Sequence, residues 1–288
     1  MFWQTTRFRI DLTQPQVMGI VNVTPDSFSD GGRHATLATA LRHCEKLLKE
    51  GARILDIGGE STRPGSPAVP LDMELDRVVP LVREAVKLNV PVSVDTYKPE
   101  VMRAVPDLGA DIVNDIWALR QGDAAAVVAR HPSCGVCLMH MHRDPQTMQT
   151  APMDGDVVPQ VRTFLSEAAA QLQARGVARE RIVVDPGIGF GKTVAQNFGL
   201  LARQAELLTD GFPLLAGWSR KSSLGAVTAV DGMPPEPAAR VAASVAAAVL
   251  AVERGAAIVR VHDVAETVQA LQVWRAMVAA TPHSSICK

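Results

Sequence analysis

The chain carries almost no net charge, with 29 lysines and arginines against 30 aspartates and glutamates, a formal balance of −1 over 288 residues. Without a long-range field of either sign it offers no general grip on nucleic acid or on an anionic membrane surface, so any anion site must be local. A long apolar run is also missing. The nearest approach, 241–252, is broken by Ser244 and bracketed by Arg240 and Glu253, well short of the roughly 20 residues that span a bilayer. No membrane partner is expected. The opening residues mix Arg7, Arg9 and Asp11 among apolar ones, which leaves no uninterrupted core of a secretory signal and makes the cytoplasm the expected location. Cysteine is scarce: the four, at 44, 134, 137 and 287, show no disulfide-framework spacing, so reduced thiols are expected. No repeat, low-complexity tract or interdomain linker stands out.

What the chain does have is apolar surface for a core, 47% hydrophobic residues with 20% charged, which argues against disorder. Eight short apolar runs recur, at 17–21, 54–57, 92–94, 112–113, 135–139, 182–184, 214–216 and 257–261. Their continuous Val, Ile and Leu, without period-2 alternation, is the pattern of parallel strands covered on both faces. Segments with helical spacing lie between and after them, at 37–50, 72–88, 99–108, 123–130, 157–175, 195–209, 236–254 and 264–279. Eight such units favour an α/β fold, a single (β/α)8 TIM barrel over 1–288, ahead of an open doubly wound sheet. Residues 2–12 alternate weakly and are expected to form an N-terminal β-hairpin closing the barrel floor. The 236–254 helix is alanine and valine around almost its whole circumference, which suits either deep burial against the barrel or packing on a second copy of the chain.

The runs end in residues with chemistry: Asn22, the 60–63 turn, Asp95, Asn114 with Asp115, His140, Asp185, Ser219-Arg220-Lys221, and Arg260 with His262. In a parallel barrel, strand ends of one polarity meet at one mouth. Asp95, Asn114 and Asp185 would then form an acceptor-rich floor suited to a heterocycle with several N–H donors, and Lys221 would supply a donor. Singly, each could merely cap a helix. Arg63, Arg220, Lys221, Arg260 and His262 converge from three strand ends and imply an anion, with phosphate the expected class.

Other motifs read as structure. The 186–193 segment nearly matches a phosphate-cradling loop, but Pro186 stands where that loop needs glycine; its glycines serve a tight turn beside Asp185 and close approach of a flat ligand. His140 and His142 have a spacing that can hold zinc, yet further ligands at other strand ends are lacking, so they are expected in a mostly solvated loop. Cys134 and Cys137 have a redox spacing, but Cys137 falls inside a strand and reads as a buried thiol.

Seven strings carry a resemblance: MGIVNVTPDSFSDGG at 18–32, GGESTRPG at 58–65, VDT at 94–96, NDI at 114–116, DPGIGFGK at 185–192, SRKS at 219–222 and RVHDV at 260–264. In order, from about 16 to 265, the chain resembles the dihydropteroate synthases, the folate-pathway family inhibited by sulfonamides. That resemblance implies condensation of 6-hydroxymethyl-7,8-dihydropterin diphosphate with p-aminobenzoate to 7,8-dihydropteroate. It implies Asp95, Asn114, Asp185 and Lys221 as pterin ligands in a slot lined by Ile116, Met139, Phe190 and Gly217. Asn22, Arg63, Arg260 and His262 would hold the diphosphate, with Mg2+ as cofactor bridging it to Asn22. Phe28, Thr62, Pro64, Lys221 and Ser222 would form the p-aminobenzoate site, with 28–30 and 63–65 as mobile lids and a homodimer as the assembly. Asp95, Asp185, Lys221, Arg63, Arg260 and His262 are the expected catalytic set. Two rivals share the pterin floor: a methyltransferase domain serving a corrinoid protein, against which the TRP string at 62–64 and SRK at 219–221 argue, and a catalytically silent pterin-binding paralogue.

Overall fold

The computed structural model describes residues 1–23, 33–61, 66–148 and 150–280, with the side chains of 33–36 excepted. The expected p-aminobenzoate residues Phe28, Thr62 and Pro64, the lid stretches and Arg63 lie outside the described residues.

Eight parallel strands form the barrel wall: β3 (Gln16–Asn22), β4 (Ile54–Gly58), β5 (Val92–Asp95), β6 (Ile112–Asp115), β7 (Gly135–Met139), β8 (Ile182–Asp185), β9 (Leu215–Ala216) and β10 (Ile258–Val261). They hydrogen-bond in the order β8-β7-β6-β5-β4-β3-β10-β9. A parallel bridge from Val184 to Leu214 joins the two ends, so the sheet closes on itself. Each expected run is therefore a strand. All eight are parallel because each is followed by a helix that returns the chain to the same end.

The helices are α1 (Arg33–Lys49), α2 (Leu71–Ala85), α3 (Pro99–Asp107), α4 (Ala124–Arg130), α5 (Val157–Ala174), α6 (Val194–Ala202), α7 (Ser222–Val227), α8 (Val241–Glu253) and α9 (Val264–Ala280). Local chemistry sets several ends. Thr193 and Gln196 form a reciprocal capping box at the start of α6, which satisfies two otherwise orphaned N–H groups. Three expected helices are shorter than their apolar pattern: 72–88 and 195–209 finish in 3-10 turns at Val86–Leu88 and Gln204–Leu208, and Pro237–Ala239 is a 3-10 turn ahead of α8. A 3-10 turn keeps the apolar side chains facing the barrel while tightening the exit toward the next strand.

Strand alternation sorts the side chains. Val17, Val21, Leu55, Ile57, Val92, Val94, Val259 and Val261 face outward into the layer shared with α1, α2, α8 and α9, whereas Met18, Ile54, Ile112, Cys137, Val183, Leu215 and Ile258 fill the lower barrel interior. The expected hairpin is present as β1 (Phe2–Gln4) paired antiparallel with β2 (Arg9–Asp11). Trp3, Ile10 and Leu12 join the lower interior cluster, and the fully buried Trp3 donates its Nε1 hydrogen to Arg181 O (2.9 Å). The hairpin thus plugs the floor, and Arg7 ties it to the wall through its ion pair with buried Asp111 (2.6 Å). The other end stays open.

Candidate active site

Above the apolar floor, the inward positions of the wall turn polar. On β4, Ile54 belongs to the floor, so period-2 alternation turns Asp56 and Gly58 to the same side. The same rule places Ser93 and Asp95 on β5, Asn114 on β6, Met139 on β7, Asp185 on β8 and Arg260 on β10. Glycines keep the mouth open between them: a methyl on Gly58 would lie 3.9 Å from both Asn22 Oδ1 and Asp95 Oδ2, and one on Gly217 would lie 4.0 Å from Asp185 Oδ2. The expected floor residues Asp95, Asn114 and Asp185 are therefore gathered around one opening, with Asn22 and Gly217 on its edge.

Arg260 occupies a different place from the rim position its anion role suggests. Its Nε donates to Asp56 Oδ2 (2.6 Å) and its Nη2 to Asp95 Oδ2 (2.8 Å), which sets the guanidinium into the floor as a bridge between two carboxylates. Burial works against its charge, but Asp56 and Asp95 together outweigh that and hold its pKa above the ordinary value. Asn114 Nδ2 donates to the same Asp56 oxygen (3.2 Å). Asp56 is the functional-site residue that the motif reading missed. Its signal was available: a charge in the middle of the apolar run ILDIG, where a fully buried strand has no reason to carry one.

Burial raises Asp95 to about 7; Arg260 opposes the shift, and Asp56 adds to it. Burial also raises Asp185, against the Gly187 N–H that donates to its Oδ1 (2.7 Å) and the nearby Lys221 charge. Lys221 stands with its Nζ 4.3 Å from the centre of the Phe190 ring. Burial lowers it to about 8, although Asp185 favours its charged form. Ile116, Met139, Met141, Met148 and Phe190 form one apolar cluster at this mouth, with Tyr97 and Trp117 packed against it. An apolar wall, carboxylate and amide acceptors at the base and one ammonium donor together suit a planar, N–H-rich heterocycle.

The glycine loop after β8 uses its lysine for itself. Gly187, Gly189 and Gly191 all have positive φ, at 66°, 83° and 72°. Lys192 Nζ turns back under them and donates to Gly187 O (2.8 Å) and Phe190 O (3.1 Å), with His140 Nδ1 also at 2.9 Å. The lysine is spent on carbonyls, so in this phosphate-loop look-alike it turns inward to its own backbone. This also corrects the expectation of a solvated histidine pair: His140 is buried, edge-on to Phe164 at 4.9 Å between ring centres. Burial, with Lys192 and Arg120 nearby, lowers its pKa to about 2, and only His142 reaches the half-exposed loop. Strand β7 ends at Met139, and the His140 N–H still donates to Asp185 O (2.9 Å), so the chain remains at the wall for that residue. Cys134 and Cys137 are both buried free thiols.

Of the five expected cations, Lys221 and Arg260 face the floor and Arg63 lies outside the described residues. Arg220 is taken by Asp263, with Nη2 to Oδ1 at 2.5 Å. His262 lies at the rim, its Nδ1 2.9 Å from Ser219 Oγ. Ser222 is exposed at the first position of α7. A further buried network fixes the strand ends: Lys98 Nζ donates to Glu60 and Glu74, Thr96 Oγ1 donates to Glu74 (2.6 Å) and Tyr97 OH donates to Glu60 (2.9 Å). This network ties Glu60, just after β4, to the end of β5.

Among the described residues no group of three or more His, Cys, Asp or Glu is arranged to hold a metal. Asn22 Oδ1, at the edge of the mouth beside Gly58, is an oxygen donor of the kind a hard cation with few protein ligands takes.

Residues 18–262 match the family described as pterin binding enzyme. Dihydropteroate synthase of Neisseria meningitidis serogroup B is 49% identical over 280 residues, covering 96% of this chain and 97% of that protein. The crystal structure of Burkholderia cenocepacia dihydropteroate synthase complexed with 7,8-dihydropteroate is 53% identical, covers 97% of each chain and superposes with a TM-score of 0.87. The Xanthomonas albilineans dihydropteroate synthase with 4-aminobenzoic acid is 48% identical with a TM-score of 0.90, covering 98% of this chain and all of that one (100%).

Proposed function

The chain belongs to the pterin binding enzymes, among the dihydropteroate synthases, and from that premise we infer that it condenses 6-hydroxymethyl-7,8-dihydropterin diphosphate with p-aminobenzoate, giving 7,8-dihydropteroate and diphosphate. The observation that carries the reading is the grouping of side chains: Asp95, Asn114 and Asp185 below, Lys221 over Phe190 at the side, at one barrel mouth. Asn114 Oδ1 and the Asp185 carboxylate accept the N–H edge of the pterin, Lys221 donates to a ring acceptor, and Met139, Ile116 and Phe190 hold the ring faces. Gly217 leaves room above Asp185.

The bond between the pterin methylene carbon and the diphosphate oxygen breaks first, its electron pair leaving with the oxygen. The resulting cation spreads into the electron-rich ring, where the Asp95 and Asp185 carboxylates stabilise it. The aniline nitrogen then forms the new C–N bond and gives its proton to solvent or to the departing anion. No side chain has to act as a strong base, consistent with a site built of fixed charges. Arg63, together with His262 at the rim and Arg260 acting from within the floor, is proposed to stabilise the leaving diphosphate. Asn22 would hold Mg2+ through its amide oxygen, in keeping with a cation that takes few protein ligands. When bound, the metal supplies Lewis-acid neutralisation of the diphosphate. Phe28, Thr62, Pro64 and Ser222 are the proposed p-aminobenzoate contacts.

Two coarser assignments go with this. Val273 and Met277, one turn apart on α9, are 72% and 52% exposed, and Leu250 on neighbouring α8 is 44% exposed, which supports a second copy of the chain as partner to these helices. No helix among the described residues is long and apolar enough to cross a membrane, in keeping with a cytoplasmic location. The deciding experiment mixes purified protein, dihydropterin diphosphate, p-aminobenzoate and Mg2+. Diphosphate release that depends on the amine is the expected result; release without it, or none at all, rejects the function.

A further inference from the structure

Asp56 is a costly residue. It lies mid-strand on β4, fully buried, and a buried carboxylate contributes less to stability than an apolar side chain of similar volume unless all its lone pairs are met. They are not: Oδ1 has no hydrogen-bond partner, nor does Ser93 Oγ, its register neighbour on β5. Everything it engages runs through Oδ2, which accepts from Arg260 Nε (2.6 Å) and Asn114 Nδ2 (3.2 Å). Both donors belong to residues at the floor of the slot.

A carboxylate paired with a guanidinium makes this directional. It is an acceptor only, so it compels Asn114 to turn its NH2 group downward, and the amide oxygen is then left facing the mouth. Asn114 Oδ1 accepts no hydrogen bond from a described residue. By holding Arg260 Nε, the same oxygen also orients the guanidinium so that Nη2 reaches Asp95 (2.8 Å). We propose that Asp56 is a positioning residue for the pterin: from beneath the floor its one engaged oxygen sets Asn114 to present an acceptor and holds Arg260 as the clamp on Asp95. This rests on the reaction inferred above, and the cost of the orphaned Oδ1 is the stability given up for it.

The test compares Asp56→Leu and Asp56→Asn with the unmodified chain, each as full-length protein, by calorimetric titration with dihydropterin diphosphate and by steady-state kinetics with both substrates. Asp56→Leu keeps a similar volume but removes the acceptor; a tenfold or greater weakening of pterin binding is expected, about what one buried partner costs, with the KM for p-aminobenzoate changed less than about twofold. Asp56→Asn can set its one amide oxygen where Oδ2 now meets both donors, with its NH2 in the place of the unengaged Oδ1, so pterin binding within roughly threefold of the unmodified protein is expected. Asp56→Leu with unchanged pterin affinity, or Asp56→Asn as impaired as Asp56→Leu, overturns the proposal. A merely structural role would lower the melting temperature of Asp56→Leu while leaving the KM of both substrates alone, and that outcome overturns it too. If Asp56→Leu does not fold, Asp56→Ser, too short to meet both donors, takes its place in the comparison. Should the unmodified chain bind the pterin substrate yet release no diphosphate with the amine, the reaction assignment fails while the titration still reads the role of Asp56.

Discussion

At the scale of single residues, the floor is a set of charges whose protonation must match the ligand. Asp95, raised to about 7 by burial, is neutral below that value and ionised above it. Lys221, lowered to about 8 by burial, carries its ammonium below that value and loses it above. Binding of a ring that donates N–H to Asp95 and accepts from Lys221 needs both charged forms. The kcat/KM for the pterin substrate is therefore expected to rise through about pH 7 and fall beyond about pH 8, which a pH profile at fixed ionic strength checks. A profile flat from 6 to 9 contradicts it. Asp185→Ala should lower turnover by at least about a hundredfold, in the range for removing one preorganised polar contact at a reacting centre, with an unchanged circular dichroism spectrum. Turnover near normal in that variant removes Asp185 from the mechanism. The residues behind these two predictions were legible in the sequence because each follows an apolar run at the end where barrels keep their chemistry. Asp56 was marked only by a charge inside an apolar run, which says that a buried carboxylate needs partners but not which ones; its pairing with Asn114 and Arg260 is seen only in three dimensions. Arg260 was read as one of the cations for an anion, and its ion pairs with Asp56 and Asp95 were not legible because charge balance in sequence does not tell which carboxylate will claim an arginine.

At the scale of elements, the loop after β8 is the most constrained piece of backbone in the site. Gly187 has φ 66°, and a methyl there would stand 1.9 Å from His140 O. Gly187→Ala cannot be absorbed by a rotamer change; it must move backbone on one side or the other. The expected result is a loss of pterin binding together with a drop in stability, measured by titration and thermal melting of the same sample. Lys192→Met keeps length and volume but strands the carbonyls of Gly187 and Phe190. A cost of roughly 1–3 kcal/mol per unmet buried group is expected in urea unfolding, along with a raised KM for the pterin substrate because Phe190 is no longer held. No change in either measurement would show that the lysine does not pin the loop. The glycines made the turn readable in sequence, but the direction of the lysine was not. A lysine after a glycine run faces an anion in one topology and its own carbonyls in another, and the difference lies in where β7 places His140. The same limit shortened three helices into 3-10 turns, since apolar spacing reports which face is buried and not how tightly the backbone winds.

At the scale of the whole molecule, the parallel barrel separates what makes the protein stable from what makes it act. All the strand ends that carry the site, Asn22, Asp95, Met139 and Asp185 among them, face one mouth. The hairpin β1–β2 closes the other, where Trp3 packs beside Gly135 at the start of β7 and bonds Arg181 just before β8. Eight alternating units made that polarity legible from sequence alone, and weak alternation over 2–12 was enough to mark the plug. The pairing proposed for α8 and α9 is less legible, because an apolar helix surface reads alike whether a barrel or another chain covers it. Sedimentation of the purified chain at twice its 30.8 kDa mass, shifted to monomer by Val273→Glu with Met277→Glu, is expected if those helices pair; an unchanged mass in the variant contradicts the assignment. The sharper consequence concerns the floor. Trp3→Ala removes a fully buried indole and leaves Arg181 O without its donor, so unfolding free energy should fall by about 3–5 kcal/mol in urea titrations, the usual range for a large aromatic truncated in a core. Since the cavity opens at the end of the barrel remote from Asp185, the protein that remains folded should keep its KM for both substrates and most of its kcat. A KM for the pterin substrate that rises with the loss of Trp3 would mean the two mouths are mechanically coupled, and that the plug acts on the site and not only on the stability of the barrel.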